Sequence, residues 1–112
     1  MDILERYKLL SNEDKSNLTI YTIYDSIYDV SRNREISFED EVVKEIQEIA
    51  YDLYLSDEYY NLSSSSIAYF LADCYASDKK FLKKIENMDY WDILEAIDNN
   101  NIDFFKVEEL EK

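Results

Sequence analysis

Residues 37–55, SFEDEVVKEIQEIAYDLYL, carry a helical pattern that constrains the rest of the chain. At about 100° per residue, Phe38, Val42, Ile46, Ile49 and Leu53 fall on one narrow stripe, and Val43, Ala50 and Tyr54 widen it on one flank. The other flank carries Glu41, Glu45, Glu48 and Asp52, spaced i, i+4, i+7 and i+11. One helix therefore offers a core-facing stripe and a row of four carboxylates. Neighbouring like charges at this spacing oppose their own helix by about 0.2–0.5 kcal/mol per pair. Lys44 is the only cation in the segment. A single glutamate here reads as an ordinary solvated side chain, but four in register point to a surface that meets positive charge.

The pattern continues on both sides. Residues 1–10 read as a short helix with Ile3, Leu4, Tyr7 and Leu10 inward, and Ser11 with Asp14 reads as a capping box. From there to about Val30 two periods compete. Thr19–Tyr24 is rich in strand formers, yet Ile20, Ile23, Ile27 and Val30 keep a 3–4–3 spacing, which predicts helix with Tyr21, Tyr24 and Tyr28 along its wet edge. A polar connection follows at 31–36, and Ser37 is the expected cap of the central helix. After a loop at 56–61, the serines at 63–66 are expected to cap a well-buried helix with Ile67, Phe70, Leu71, Cys74 and Tyr75 on its apolar face. Ser77 and Asp89 are expected to cap two more helices, with Phe81, Leu82, Ile85 and Met88 inward on the first and Tyr90, Ile93, Leu94 and Ile97 on the second. Asn99–Asn101 supplies a turn, because asparagine tolerates the left-handed conformation, and a last helix holds Ile102, Phe105 and Leu110. The expectation is an all-α, compact single-domain bundle of five to seven short helices over residues 1–112.

Composition narrows the chemistry. The 112 residues hold 26 acids against 12 bases, a net charge of −14, so nucleic acid and anionic membranes are disfavoured ligands and a basic protein is the expected partner. With no histidine, His-based triads, most zinc sites and the usual proton shuttle near neutral pH are excluded. With no glycine, the dinucleotide turn, the phosphate loop and the nucleophile elbow are excluded. The lone Cys74 forms no disulfide within the chain and is expected to be a buried, inert thiol. A calcium loop laid on Asp98, Asn100 and Glu109 fails, since Ile102 takes a ligand position and Asp103 replaces the turn glycine. No catalytic residues, metal ligands or cofactor are assigned, and the chain is read as a cytoplasmic non-enzyme.

Binding is better supported. Eleven tyrosines are more than a small core needs, and tyrosine brings contact area at low entropic cost with a polar tip. They concentrate with acids at Tyr51, Asp52, Tyr54, Asp57, Glu58, Tyr59 and Tyr60. The expected partner-binding residues are Glu41, Glu45, Glu48, Tyr51, Asp52, Asp57, Glu58, Tyr59 and Tyr60. Acids would speed encounter with a basic partner and tyrosines would hold it.

The stretch Ser37–Lys44, then Asp57-Glu58-Tyr59-Tyr60, then the serine-led helix from Ile67, resembles the colicin-type nuclease immunity proteins over about residues 37–75. The resemblance implies a small acidic helical bundle that neutralises a bacterial toxin. It also implies that Glu39, Asp40, Glu41, Glu45 and Glu48 tune specificity while Tyr59 and Tyr60 anchor the partner. Two other functions fit the same surface: a phage-type DNA mimic that blocks a CRISPR or restriction enzyme, and a non-catalytic adaptor subunit.

Overall fold

Ser11 opens the first helix: its Oγ accepts the backbone N–H of Asp14 at 3.1 Å, the bond its capping box predicts. Helix α1 then runs Asn12–Arg34 in a computed structural model that describes residues 9–100. Thr19–Tyr24 is helical, so spacing outweighs strand propensity there. The buried face differs from the expected one. Ile23, Ile27 and Val30 are buried beside Thr19 and Ser26, whereas Ile20 is 39% exposed. Thr19 Oγ1 donates to the carbonyl of Lys15 at 2.8 Å, and Ser26 Oγ to that of Thr22 at 3.1 Å. Each hydroxyl is satisfied inside its own helix, so a small polar residue enters the core where hydropathy looks for isoleucine.

The helix also outruns its expected end, taking in most of the presumed connection at 31–36. It stops at Glu35, whose φ of 54° is left-handed. The N–H of Ile36 reaches the carbonyl of Ser31 at 3.1 Å and that of Glu35 reaches Arg32 at 3.3 Å, a Schellman closure. Ser31 Oγ donates to the Ile36 carbonyl at 2.6 Å and fixes the exit.

Helix α2 spans Asp40–Ser56. Ser37 does not cap it: Glu39 takes that position without a side-chain bond, and residues 36–39 stay outside the helix. Phe38, in this non-helical stretch, packs on Tyr75 of the serine-led helix, ring centroids 5.6 Å apart. The centre of the buried face is Ile46, Ala50 and Leu53, with Phe38, Val42, Val43, Ile49 and Tyr54 packed at its margins. The core stripe is thus rotated toward Ala50, whose small side chain admits a close neighbour.

Helix α3, Ser64–Ser77, packs against both α1 and α2. Ser63 caps it by accepting the N–H of Ser66 at 3.1 Å. Its buried residues are Ile67, Ala68, Leu71, Ala72 and Cys74; Phe70 and Tyr75, expected on the same face, are half-buried. Both alanines are fully buried, small side chains that suit close packing of this helix against its neighbours. Ser77 ends this helix rather than capping the next, because its hydroxyl is already engaged. It donates to the Asp73 carbonyl at 3.1 Å and accepts from Arg34 Nη2 at 2.6 Å. Arg34 Nη1 also lies 3.0 Å from Asp73, joining the ends of α1 and α3.

Asp78 makes the turn instead, accepting the N–H of Lys80 at 2.9 Å, and α4, Phe81–Ile85, follows with Phe81, Leu82 and Ile85 buried. Helix α5 spans Tyr90–Asp98 and buries Ile93, Leu94, Ala96 and Ile97. Asp89 is its N-cap residue but makes no side-chain capping bond, and Tyr90, expected in the core, is exposed in the first turn. Asn100 takes the left-handed conformation with φ 52°. The described residues form five helices and no strand, an all-α bundle. Of the short helix expected over 1–10, residues 1–8 lie outside the described residues; Leu9 and Leu10 form a turn and a bend ahead of the Ser11 cap, and Leu10, expected inward, is exposed there. The last helix, expected at Ile102, Phe105 and Leu110, lies outside the described residues.

Candidate partner-binding face

The acidic row forms on α2 as the spacing requires. Glu41, Glu48 and Asp52 are exposed and Glu45 is half-buried. From Glu41 to Asp52 the rise is about 16 Å at 1.5 Å per residue. Among the described residues, none of the four takes part in an ion pair; the Arg34–Asp73 bridge lies elsewhere. Lys44 makes none either, although it lies within one turn of Asp40, Glu41 and Glu48. No group of three or more carboxylate or thiol side chains among the described residues is placed to hold a metal ion.

At its C-terminal end the row meets aromatic surface. Tyr90 Oη donates to Asp52 Oδ2 at 3.4 Å, tying α5 to α2. The phenol of Tyr90 holds its proton more firmly than usual because of partial burial and then the Asp52 charge. Beside it, Tyr59, Tyr60 and Trp91 pack as a trio. Their ring centroids are 5.0 Å apart for Tyr59–Tyr60, 5.5 Å for Tyr59–Trp91 and 5.4 Å for Tyr60–Trp91, all tilted or edge-on. Such geometries are the favoured ones for aromatic pairs. Tyr59 is 69% exposed and Trp91 49%, while Tyr60 is half-buried. The trio, with Ser56, Glu58 and Leu94, lines a depression of about 380 Å³. Burial raises the pKa of Tyr60, and the nearby charges of Glu95 and Asp98 raise it further.

Asp57 builds this arrangement. Its Oδ1 accepts the N–H of Tyr60 at 2.9 Å and of Tyr59 at 3.3 Å, and its Oδ2 accepts that of Leu62 at 2.6 Å. Three backbone donors on one carboxylate hold the loop after α2 in shape, and Asn61 completes the turn at φ 55°. Asp57 is therefore a positioning residue, its oxygens spent within the loop. Tyr51 also stands apart from the trio, half-buried, with its Oη 2.9 Å from Ser16 Oγ on α1.

Of the nine predicted residues, Asp57, Glu58, Tyr59 and Tyr60 line one depression; Asp52 is tied to Tyr90, the chain neighbour of Trp91, Glu41, Glu45 and Glu48 continue the row along α2, and Tyr51 faces α1 instead. Sequence reasoning missed Trp91. The available signal was its register, off the Ile93, Leu94, Ile97 face of its helix, which marks an outward tryptophan. Cys74 is buried in α3, and burial pushes its thiol up to about 12, away from reactivity. No helix among the described residues is long and apolar enough to cross a membrane. No protein-family model, curated protein or solved structure matches the chain.

Proposed function

We propose that this protein is an acidic inhibitor that binds and occludes the cationic cleft of a partner protein, and specifically an immunity protein that neutralises a bacterial nuclease toxin domain. The supporting observation is the α2 row: carboxylates without ion-pair partners among the described residues, with an aromatic trio near its C-terminal end in which Tyr59 and Trp91 are exposed. Unneutralised acids cost the free protein stability, and a basic partner recovers that cost on docking. Exposed Tyr59 and Trp91 supply the large, stiff contact area of a binding hot spot. The immunity assignment rests further on the likeness of 37–75 to the colicin-type family; no catalytic role is proposed.

Affinity capture from the source lysate, with identification of the bound protein, tests the class of partner. A basic nuclease toxin domain supports the proposal, a CRISPR or restriction enzyme moves it to the DNA-mimic function, and a neutral or acidic partner overturns it. With the captured partner in hand, the association rate should fall steeply with salt, since steering is screened within about 8–10 Å at physiological ionic strength. An association rate indifferent to salt overturns electrostatic occlusion.

A further inference from the structure

At its N-terminal end the acidic row runs into a second feature. A groove of about 510 Å³ lies between α1 and α2, with Tyr24, Tyr28 and Phe38 among its walls and Asp40, Glu41 and Lys44 along its α2 side. Tyr24 and Tyr28 are 49% and 53% exposed, so the groove presents ring surface to whatever docks. One of these rings already receives a cation. The guanidinium carbon of Arg32 stands 5.7 Å from the centroid of Tyr28, within range of the attraction between a positive charge and an aromatic face. Glu41 belongs to groove and row alike, which makes the groove the continuation of the acidic surface.

We propose that this groove receives an arginine side chain of the basic partner, a deepening that rests on the partner being basic. The ligand must satisfy two demands at once. Its body has to cover aromatic and apolar walls, and its tip has to meet the carboxylates of Asp40 and Glu41. A purely apolar side chain meets the first and strips those carboxylates of water without compensation. A carboxylate or phosphate meets neither, against a chain of net charge −14. Long cationic side chains lay an apolar stem on apolar surface and keep the charged head at the rim. Arginine fits better than lysine, because its planar, weakly hydrated guanidinium stacks on rings and forks onto carboxylates. Lys44 is the opposing element: a cation beside the site, without an ion pair among the described residues, which has to move or be outcompeted.

The test is an NMR titration of the ¹⁵N-labelled full chain with N-acetyl-argininamide, with N-acetyl-lysinamide and N-acetyl-norleucinamide as parallel arms. Argininamide should shift the amides of Tyr24, Tyr28, Phe38 and Lys44, lysinamide less, and norleucinamide not at all. Tyr24→Leu, which keeps apolar area but removes the ring, should weaken argininamide binding about two- to fivefold, the scale of an exposed cation–π contact. Lys44→Gln should tighten it. Circular dichroism establishes that both variants fold. The proposal is overturned if the groove amides stay still, if lysinamide or norleucinamide binds as well as argininamide, or if Lys44→Gln weakens binding. Failure here is separable from failure of the function. Glu45→Gln/Glu48→Gln leaves the groove shifts in place while slowing association with the partner, and a salt-independent partner leaves argininamide binding untouched.

Discussion

Glu35 occupies a conformation for which this chain has no glycine to offer. Three described residues have positive φ: Glu35, Asn61 and Asn100. Asparagine accepts the left-handed region through local hydrogen bonding, whereas for glutamate the Cβ contact is uncompensated. Glu35 is held there by the Schellman bonds of Ile36 and by Ser31 Oγ, so the strain is offset by its neighbours. Glu35→Gly should raise stability by about 1 kcal/mol and the thermal midpoint by about 4 °C, measured by calorimetry. A midpoint that stays put or falls would show that the turn carries no such strain. The contrast with Asn100 marks what can be read from sequence at this scale. Asn99–Asn101 announces a left-handed turn by residue type, but Glu35 does not, because only the packed position of α2 determines that the chain must reverse there. Asp57 is a similar case. Its acidity and its neighbours suggested a contact with a partner, and only the fold shows three N–H groups converging on it.

The helices themselves were largely legible, and their ends were legible where the cap is local. Ser11 and Ser63 cap as their motifs predict because the bond runs within one turn. Ser37 and Ser77 do not; Phe38 packing on Tyr75 and Arg34 reaching Ser77 are contacts between elements. Helix α2 is where stability and function oppose each other. Glu45→Gln with Glu48→Gln removes three like-charge neighbours, at the expense of the attraction between Lys44 and Glu48. The net effect should be a gain of about 0.4–1 kcal/mol in unfolding free energy by denaturant titration. The same variant should associate more slowly with a basic partner, because two steering charges are gone. An association rate that does not fall would remove the row from any steering role, and a variant no more stable than the parent would show that its like charges do not oppose the helix.

For the molecule as a whole, the core was readable from periodicity, since Ile23, Ile27, Ile46, Leu53, Ile67, Leu71, Ile93 and Leu94 are all buried. The arrangement of the surface was not. Trp91 meets Tyr59 and Tyr60, and Tyr90 meets Asp52, only because α5 docks against α2; 38 residues separate Tyr90 from Asp52 along the chain. Charge, by contrast, is a property of the entire chain. A net −14, with α2 carboxylates that pair with no cation among the described residues, means that folding concentrates negative charge that the unfolded chain spreads out. Raising sodium chloride from about 10 mM to about 150 mM shortens the screening length from about 30 Å to about 8 Å, well within the span of such a molecule. Repulsion then falls more in the folded state than in the extended one, so the thermal midpoint should rise across that range and level off above it. Chloride is chosen because sulfate would stabilise any protein by exclusion from its surface. Equimolar sucrose separates the two effects, as it strengthens burial without screening charge. A midpoint that is flat in sodium chloride at low ionic strength would mean that the acids of the folded state are already neutralised, and with that the energetic reason for a basic partner would be lost.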